Sequence, residues 1–65
     1  MKRLLRIQME FKYTINQKVK IKELEWTGTV KQICVTERGI QYQVRYFWNM
    51  ESKEVFFYEE ELDPV

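Results

Sequence analysis

Three sets of side chains in this 65-residue chain are of types that do chemistry. The first would serve acid–base, nucleophilic or metal chemistry. There is no histidine, so the usual general base is missing. Cys34 falls mid-strand without an activating partner in the pattern, and a free cysteine of this kind reads as a small, half-buried side chain. Glu59, Glu60, Glu61 and Asp63 carry oxygens that suit a hard cation. Consecutive acids on one short turn point in different directions, however, so they read as a solvated rim. Gly28 and Gly39 are the two glycines, too few for a phosphate-cradling loop. The expectation is a chain that is not an enzyme, with no catalytic residues, no metal and no cofactor.

The second set is basic. Lys18, Lys20 and Lys22 share one parity, and Lys31 falls near them if the following strand pairs antiparallel. Together with Lys2, Arg3, Arg6 and Lys12 they could track a phosphate backbone, or they could blunt the edge of a sheet. The third set is aromatic. Phe47 and Phe56 have outward parity on strands expected to be neighbours, which makes them candidates for a cross-strand pair. Trp26 and Tyr58 stand at loop or end positions. Exposed aromatics that gather in this way mark interfaces, and Trp26 and Phe47 could also stack bases.

The elements that must position these residues alternate with period two. In residues 40–48, Ile40, Tyr42, Val44, Tyr46 and Trp48 share one face, and Gln41, Gln43, Arg45 and Phe47 the other. Residues 5–13 alternate just as strictly, through Leu5, Ile7, Met9, Phe11 and Tyr13. They predict an extra strand that pairs within the domain or with a second copy, giving a homodimer through residues 5–13. A turn at 14–17 precedes a strand at 18–22, with Val19 and Ile21 inward, and a loop at 23–26 follows. Gly28 opens a further strand to about residue 36, with Val30, Ile33 and Val35 as core candidates. The step from Val30 to Ile33 breaks the period and predicts a β-bulge near Lys31 and Gln32. Gly39 closes a hairpin at a position that needs positive φ. At 49–52 Met50 stands where glycine is favoured, which predicts a longer loop. Residues 53–58 form the next strand, with Val55 and Phe57 on one face and Glu54, Phe56 and Tyr58 on the other. Residues 59–61 form one helical turn, and Leu62 returns to the core. Trp48 and Phe57 read as rings that close the ends of the core. Short strands joined by tight turns predict an all-β chain, a small barrel of five strands plus the N-terminal one.

Size and composition agree with one domain over residues 1–65, divided into an extension at 1–16 and a barrel core at 17–64. Hydrophobic residues make up 45% of the chain and aromatics 15%, too much for a disordered segment. A lone cysteine excludes an internal disulfide and a cysteine zinc site, so the expected compartment is cytoplasmic. No run is long enough to span a membrane. The net charge of +1 conceals polarity: residues 1–22 carry seven bases and one acid, residues 23–65 four bases and nine acids. That polarity could steer a charged partner, although a dedicated nucleic-acid domain is more basic overall.

Val19-Lys20-Ile21, then a loop, then Gly28-Thr29-Val30-Lys31-Gln32-Ile33 resembles the KOW motif of SH3-like barrels. The later Tyr42-Gln43-Val44-Arg45-Tyr46 and the ending Val55-Phe56-Phe57-Tyr58-Glu59-Glu60-Glu61-Leu62 are similar to KOW and Tudor-type domains, including small SH3-like proteins of phages and mobile elements. The resemblance covers about residues 17–64. The loop at 22–27 is shorter than the family's and lacks its Gly-Pro, and the turn at Asn49 lacks a glycine. The resemblance implies an SH3-like barrel with one short 3-10 turn near the C-terminus, and binding rather than catalysis. The implied function is a binding module, adaptor or regulatory protein that engages a protein or peptide through Trp26, Phe47, Phe56 and Tyr58, close together in such a barrel. The alternative is weak electrostatic binding of RNA or DNA through Lys18, Lys20, Lys22 and Lys31. An aromatic cage of the Tudor kind would add an acid such as Glu25 or Glu51. Fold alone does not choose between these.

Overall fold

The computed structural model describes residues 10–65. Five antiparallel strands form one sheet: β1 (Lys18–Ile21), β2 (Trp26–Thr36), β3 (Gly39–Trp48), β4 (Glu51–Tyr58) and β5 (Leu62–Pro64), with a 3-10 turn, Glu59–Glu61, between the last two. Their order across the sheet is β4-β3-β2-β1-β5. The chain therefore meanders through four strands and returns to lay β5 beside β1. The expected all-β class holds. The expected closure does not, because β4 and β5 are the two edges of an open sheet. β1 is consequently an interior strand between β2 and β5, not the lysine-blunted edge that its sequence suggested.

The inner face carries the core. Val19 and Ile21, Val30, Tyr42, Val44 and Tyr46, Phe57 and Leu62 are buried there together with Tyr13. The register explains the layering, since Val30 pairs with Val44 and Ile33 with Tyr42 across β2 and β3. Each such side chain removed from water contributes about 1.5–3 kcal/mol. Gly28 allows β2 to press against β3. A Cβ at that position would run into Val44 Cγ1 and lie 2.8 Å from the Arg45 carbonyl oxygen.

Two local features fall where the sequence put them. The register of β2 against β3 shifts between Val30 and Gln32, which is the expected bulge. Gly39 has φ +134° at the Thr36–Gly39 hairpin. The turn at 14–17 docks on the bulge: the Asn16 amide donates to the Val30 carbonyl at 2.6 Å, and the Val30 amide donates to Gln17 at 2.9 Å.

Several expectations need correcting. Within the described residues, 10–13 are not a strand; the remainder of the expected strand at 5–13, and any homodimer through it, lies outside them. Tyr13 instead buries its ring edge-on against Tyr42, 5.3 Å away, and its hydroxyl donates to the Leu62 carbonyl at 3.1 Å. Trp26, not Gly28, opens β2. The loop after β3 is not long: Trp48 pairs directly with Glu51, and Asn49 and Met50 both have positive φ, 52° and 65°. That is the pattern of a two-residue type I′ turn, whose twist matches that of the strands. Val35 is exposed rather than core, because β4 ends at the Gln41↔Tyr58 pair and the tip of the β2–β3 hairpin runs on past it. Cys34, in the same overhang, is exposed rather than half-buried.

Candidate functional site

The aromatic residues divide between two regions and two faces. At one end of the sheet, Trp26 of β2 and Trp48 of β3 pack edge to face with ring centroids 5.3 Å apart. Their meeting follows from the bulge. The pair Thr29↔Arg45 continues outward to set Trp26 opposite Trp48. The Trp26 indole Nε1–H donates to the Phe47 carbonyl at 2.6 Å and fixes the ring. Both rings remain substantially exposed, Trp26 at 44% and Trp48 at 39%. Phe47, 62% exposed, projects from the opposite face, and Met50, 99% exposed, caps the adjoining turn. Exposed apolar side chains therefore gather at this end of β3, the two tryptophans on one face and Phe47 on the other.

Phe56 and Tyr58 lie elsewhere. Phe56 pairs with Gln43 and Phe47 with Ser52, so the expected Phe47–Phe56 cross-strand pair is absent. The rung between them is Arg45↔Glu54, joined by an ion pair at 2.6 Å. Tyr58 faces Gln41, at the end of the sheet away from Trp48. The structure thus pairs Trp26 with Trp48, ties Trp26 to the Phe47 carbonyl while the Phe47 ring stands on the opposite face, and separates Phe56 and Tyr58 from them. Register counting could have found Trp48, whose role was read as closing the core. Met50 carries no sequence signal beyond being an apolar residue in a turn.

The lysines are placed on the outer face or its rim. Lys18 and Lys20 are exposed on β1, with Lys20 opposite Thr27 on one side and Asp63 on the other. Lys22 approaches Asp63 at 3.8 Å. Lys31 donates to Asn16 Oδ1 at 3.1 Å. Two of the four are thereby engaged within the chain, and Lys20 has a carboxylate neighbour.

The acidic turn is tied into the fold. Glu59, expected on a solvated rim, accepts the Tyr42 hydroxyl at 2.5 Å, and the same hydroxyl oxygen accepts the Lys12 amide at 3.0 Å. Glu61 accepts the Tyr58 amide at 2.7 Å. Burial pushes the Tyr42 phenol above its ordinary pKa and the bond to Glu59 adds to the rise; burial, with Asp63 and Glu59 nearby, raises Tyr13 as well. Beside this turn an open cleft of about 450 Å³ has Ile21 and Phe57 as apolar walls and Lys22, Glu23, Glu60 and Glu61 as charged ones. Among the described residues, no three Cys, Asp or Glu side chains gather to hold a metal ion. Among the described residues, no helix is long and apolar enough to cross a membrane.

No protein-family model, curated protein or solved structure matches the chain.

Proposed function

We propose that the chain is a non-catalytic binding module that engages a protein or peptide through the Trp26–Trp48 end of its sheet. One observation carries this reading. Two tryptophans are held edge to face, one of them locked by a hydrogen bond to the Phe47 carbonyl, and yet both rings stay open to solvent. Rings fixed before binding lose little conformational freedom on contact, and tryptophan is the residue most enriched among binding hot spots. Met50 beside them adds an adaptable apolar contact. The finer fold in this proposal is an SH3-like barrel left open at one seam. The strand order with β5 returning to β1, the bulge in β2 and the 3-10 turn before β5 support it.

A second reading has its own support. Phe47 is the most exposed aromatic ring, and it shares the outer face with Lys18 and Lys20. A ring that shares a face with ammonium groups on the far side of β2 suits a base stacked near its phosphate.

Selection of a random peptide library against the immobilised protein tests the first reading. Convergent peptides are expected, with affinity at least about tenfold weaker for Trp48→Ala, the loss typical of a hot spot worth over 1 kcal/mol. Failure to enrich any peptide overturns it. An amide-shift titration with single-stranded RNA at about 50 and 200 mM salt tests the second. Shifts at Lys18, Lys20 and Phe47 that weaken steeply with salt would establish nucleic-acid binding in its place.

A further inference from the structure

The open sheet has two edges of opposite character. β5 is three residues long, ends at Pro64 and holds Asp63 near Lys22. A short strand that ends in proline is a poor template for another strand. β4 has eight residues with neither proline nor glycine. It pairs with β3 without a break from Trp48↔Glu51 to Gln41↔Tyr58, and among the described residues its outer side pairs with nothing. The charges of β4 sit in its first half, at Glu51, Lys53 and Glu54; Val55–Tyr58 carry none at neutral pH. Val55 is 40% and Phe56 41% exposed, on opposite faces. A row of backbone donors and acceptors flanked by apolar side chains is a site for strand addition.

We propose that two copies of this chain associate by antiparallel pairing of their β4 edges about a two-fold axis at Phe56. The strand's own sequence selects the register. A two-fold axis normal to the sheet keeps each face on its own side, so paired residues share parity and the axis passes through a residue. An axis at Lys53 or Glu54 sets like charges opposite each other. An axis at Val55 sets Lys53 against the partner's Phe57 and Glu54 against the partner's Phe56. An axis at Phe57 shortens the ladder to three residues. At Phe56, the two phenylalanines meet on the outer face, and Val55 meets the partner's Phe57 on the inner face. Glu54 then lies beside the partner's Tyr58, whose hydroxyl can donate, and Lys53 falls beside the partner's Glu59. Apolar thus meets apolar and the flanking charges are opposite, the pairings that stabilise adjacent strands. The product is one continuous ten-stranded sheet with a closed, isologous interface.

Sedimentation of the full chain from low micromolar to near-millimolar concentration tests this directly. A reversible monomer–dimer equilibrium is expected. Phe56→Lys, a change at an exposed side chain that sets two ammonium groups at the axis, shifts the equilibrium to monomer while the far-ultraviolet circular dichroism stays unchanged. Register is tested by oxidation in a Cys34→Ser background. Mixed Glu54→Cys and Tyr58→Cys chains form a disulfide about tenfold faster than either alone, because identical positions lie roughly 13 Å apart in this register, beyond disulfide reach. A monomer at every concentration overturns the proposal. So does a dimer indifferent to Phe56→Lys, or equal disulfide rates in all three samples.

Discussion

Tyr42 holds together parts of the chain that are far apart in sequence. Its ring lies in the core, and its hydroxyl donates to Glu59 of the 3-10 turn while accepting the Lys12 amide ahead of β1. Tyr42→Phe keeps the ring and leaves both partners without that oxygen. The expected cost is about 1–2 kcal/mol, read as a lower urea midpoint with an unchanged slope. The same hydroxyl gives stability a pH dependence. Burial and the bond to Glu59 raise the Tyr42 pKa, and burial raises that of Tyr13. A phenol whose folded pKa is raised contributes stability that is fully present below its unfolded value of about 10 and is lost as pH rises through the folded value. Stability should therefore fall above about pH 10, with the late tyrosinate absorbance appearing together with unfolding. Tyrosines that all ionise at the ordinary value in a folded chain would contradict this. The inward parity of Tyr42 was legible in the alternation of residues 40–48. Its bond to Glu59 was not, because a run of three glutamates gives no sign of which one turns inward.

The turns and the bulge decide which residues meet. Ile33 pairs with Tyr42, and without the bulge that register would carry Trp26 past Trp48 to Asn49. The one-residue shift between Val30 and Gln32 sets the two tryptophans opposite each other across the ladder, where their rings meet edge to face. The bulge was legible as a break in alternation, but its consequence about 15 Å of strand away required the register to be counted through it, roughly 3.3 Å at each residue. The turn at 49–50 was misread for a different reason. Asn49-Met50 lacks the glycine that a type I′ turn favours, yet Met50 takes φ 65° because the strands on either side pair right up to Trp48↔Glu51. Holding a side chain in that region costs roughly 1–2 kcal/mol, while a glycine there adds about 0.5–1 kcal/mol of chain entropy to the unfolded state. Met50→Gly should therefore stabilise by about 0.5–1 kcal/mol, a rise of several degrees in Tm for a domain of this size. An unchanged or lower Tm would show that the turn is not held by its flanking pairs. The variant also removes the exposed methionine from the proposed docking surface, so added stability with weaker peptide capture would separate the two roles of Met50.

Across the whole molecule, one bent sheet encloses its core with help from segments outside the four-strand meander. Leu62 and Tyr13 come from opposite ends of the described chain and join in the same cluster, linked by the Tyr13 hydroxyl and the Leu62 carbonyl. The all-β class and the strand positions were legible because alternation is local. The openness of the sheet was not, since closure depends on whether β4 and β5 meet, and no residue in either strand states that. The same architecture leaves the hairpin tip outside the core. Side chains of equal apolar character should therefore differ sharply in what they contribute. A chain of this length has about 3–10 kcal/mol of stability in total. Leu62→Ala, at a side chain 1% exposed, should remove about 2–5 kcal/mol of it, enough to leave much of the population unfolded at ordinary temperature. Val35→Ala, in the exposed overhang where β2 and β3 run on without β4, should change stability by less than about 0.5 kcal/mol. Urea denaturation of the two variants side by side distinguishes this arrangement from a closed barrel that covers the hairpin. A large loss at Val35 would mean that the tip is buried in solution, and a small loss at Leu62 would mean that β5 is not part of the cooperative core.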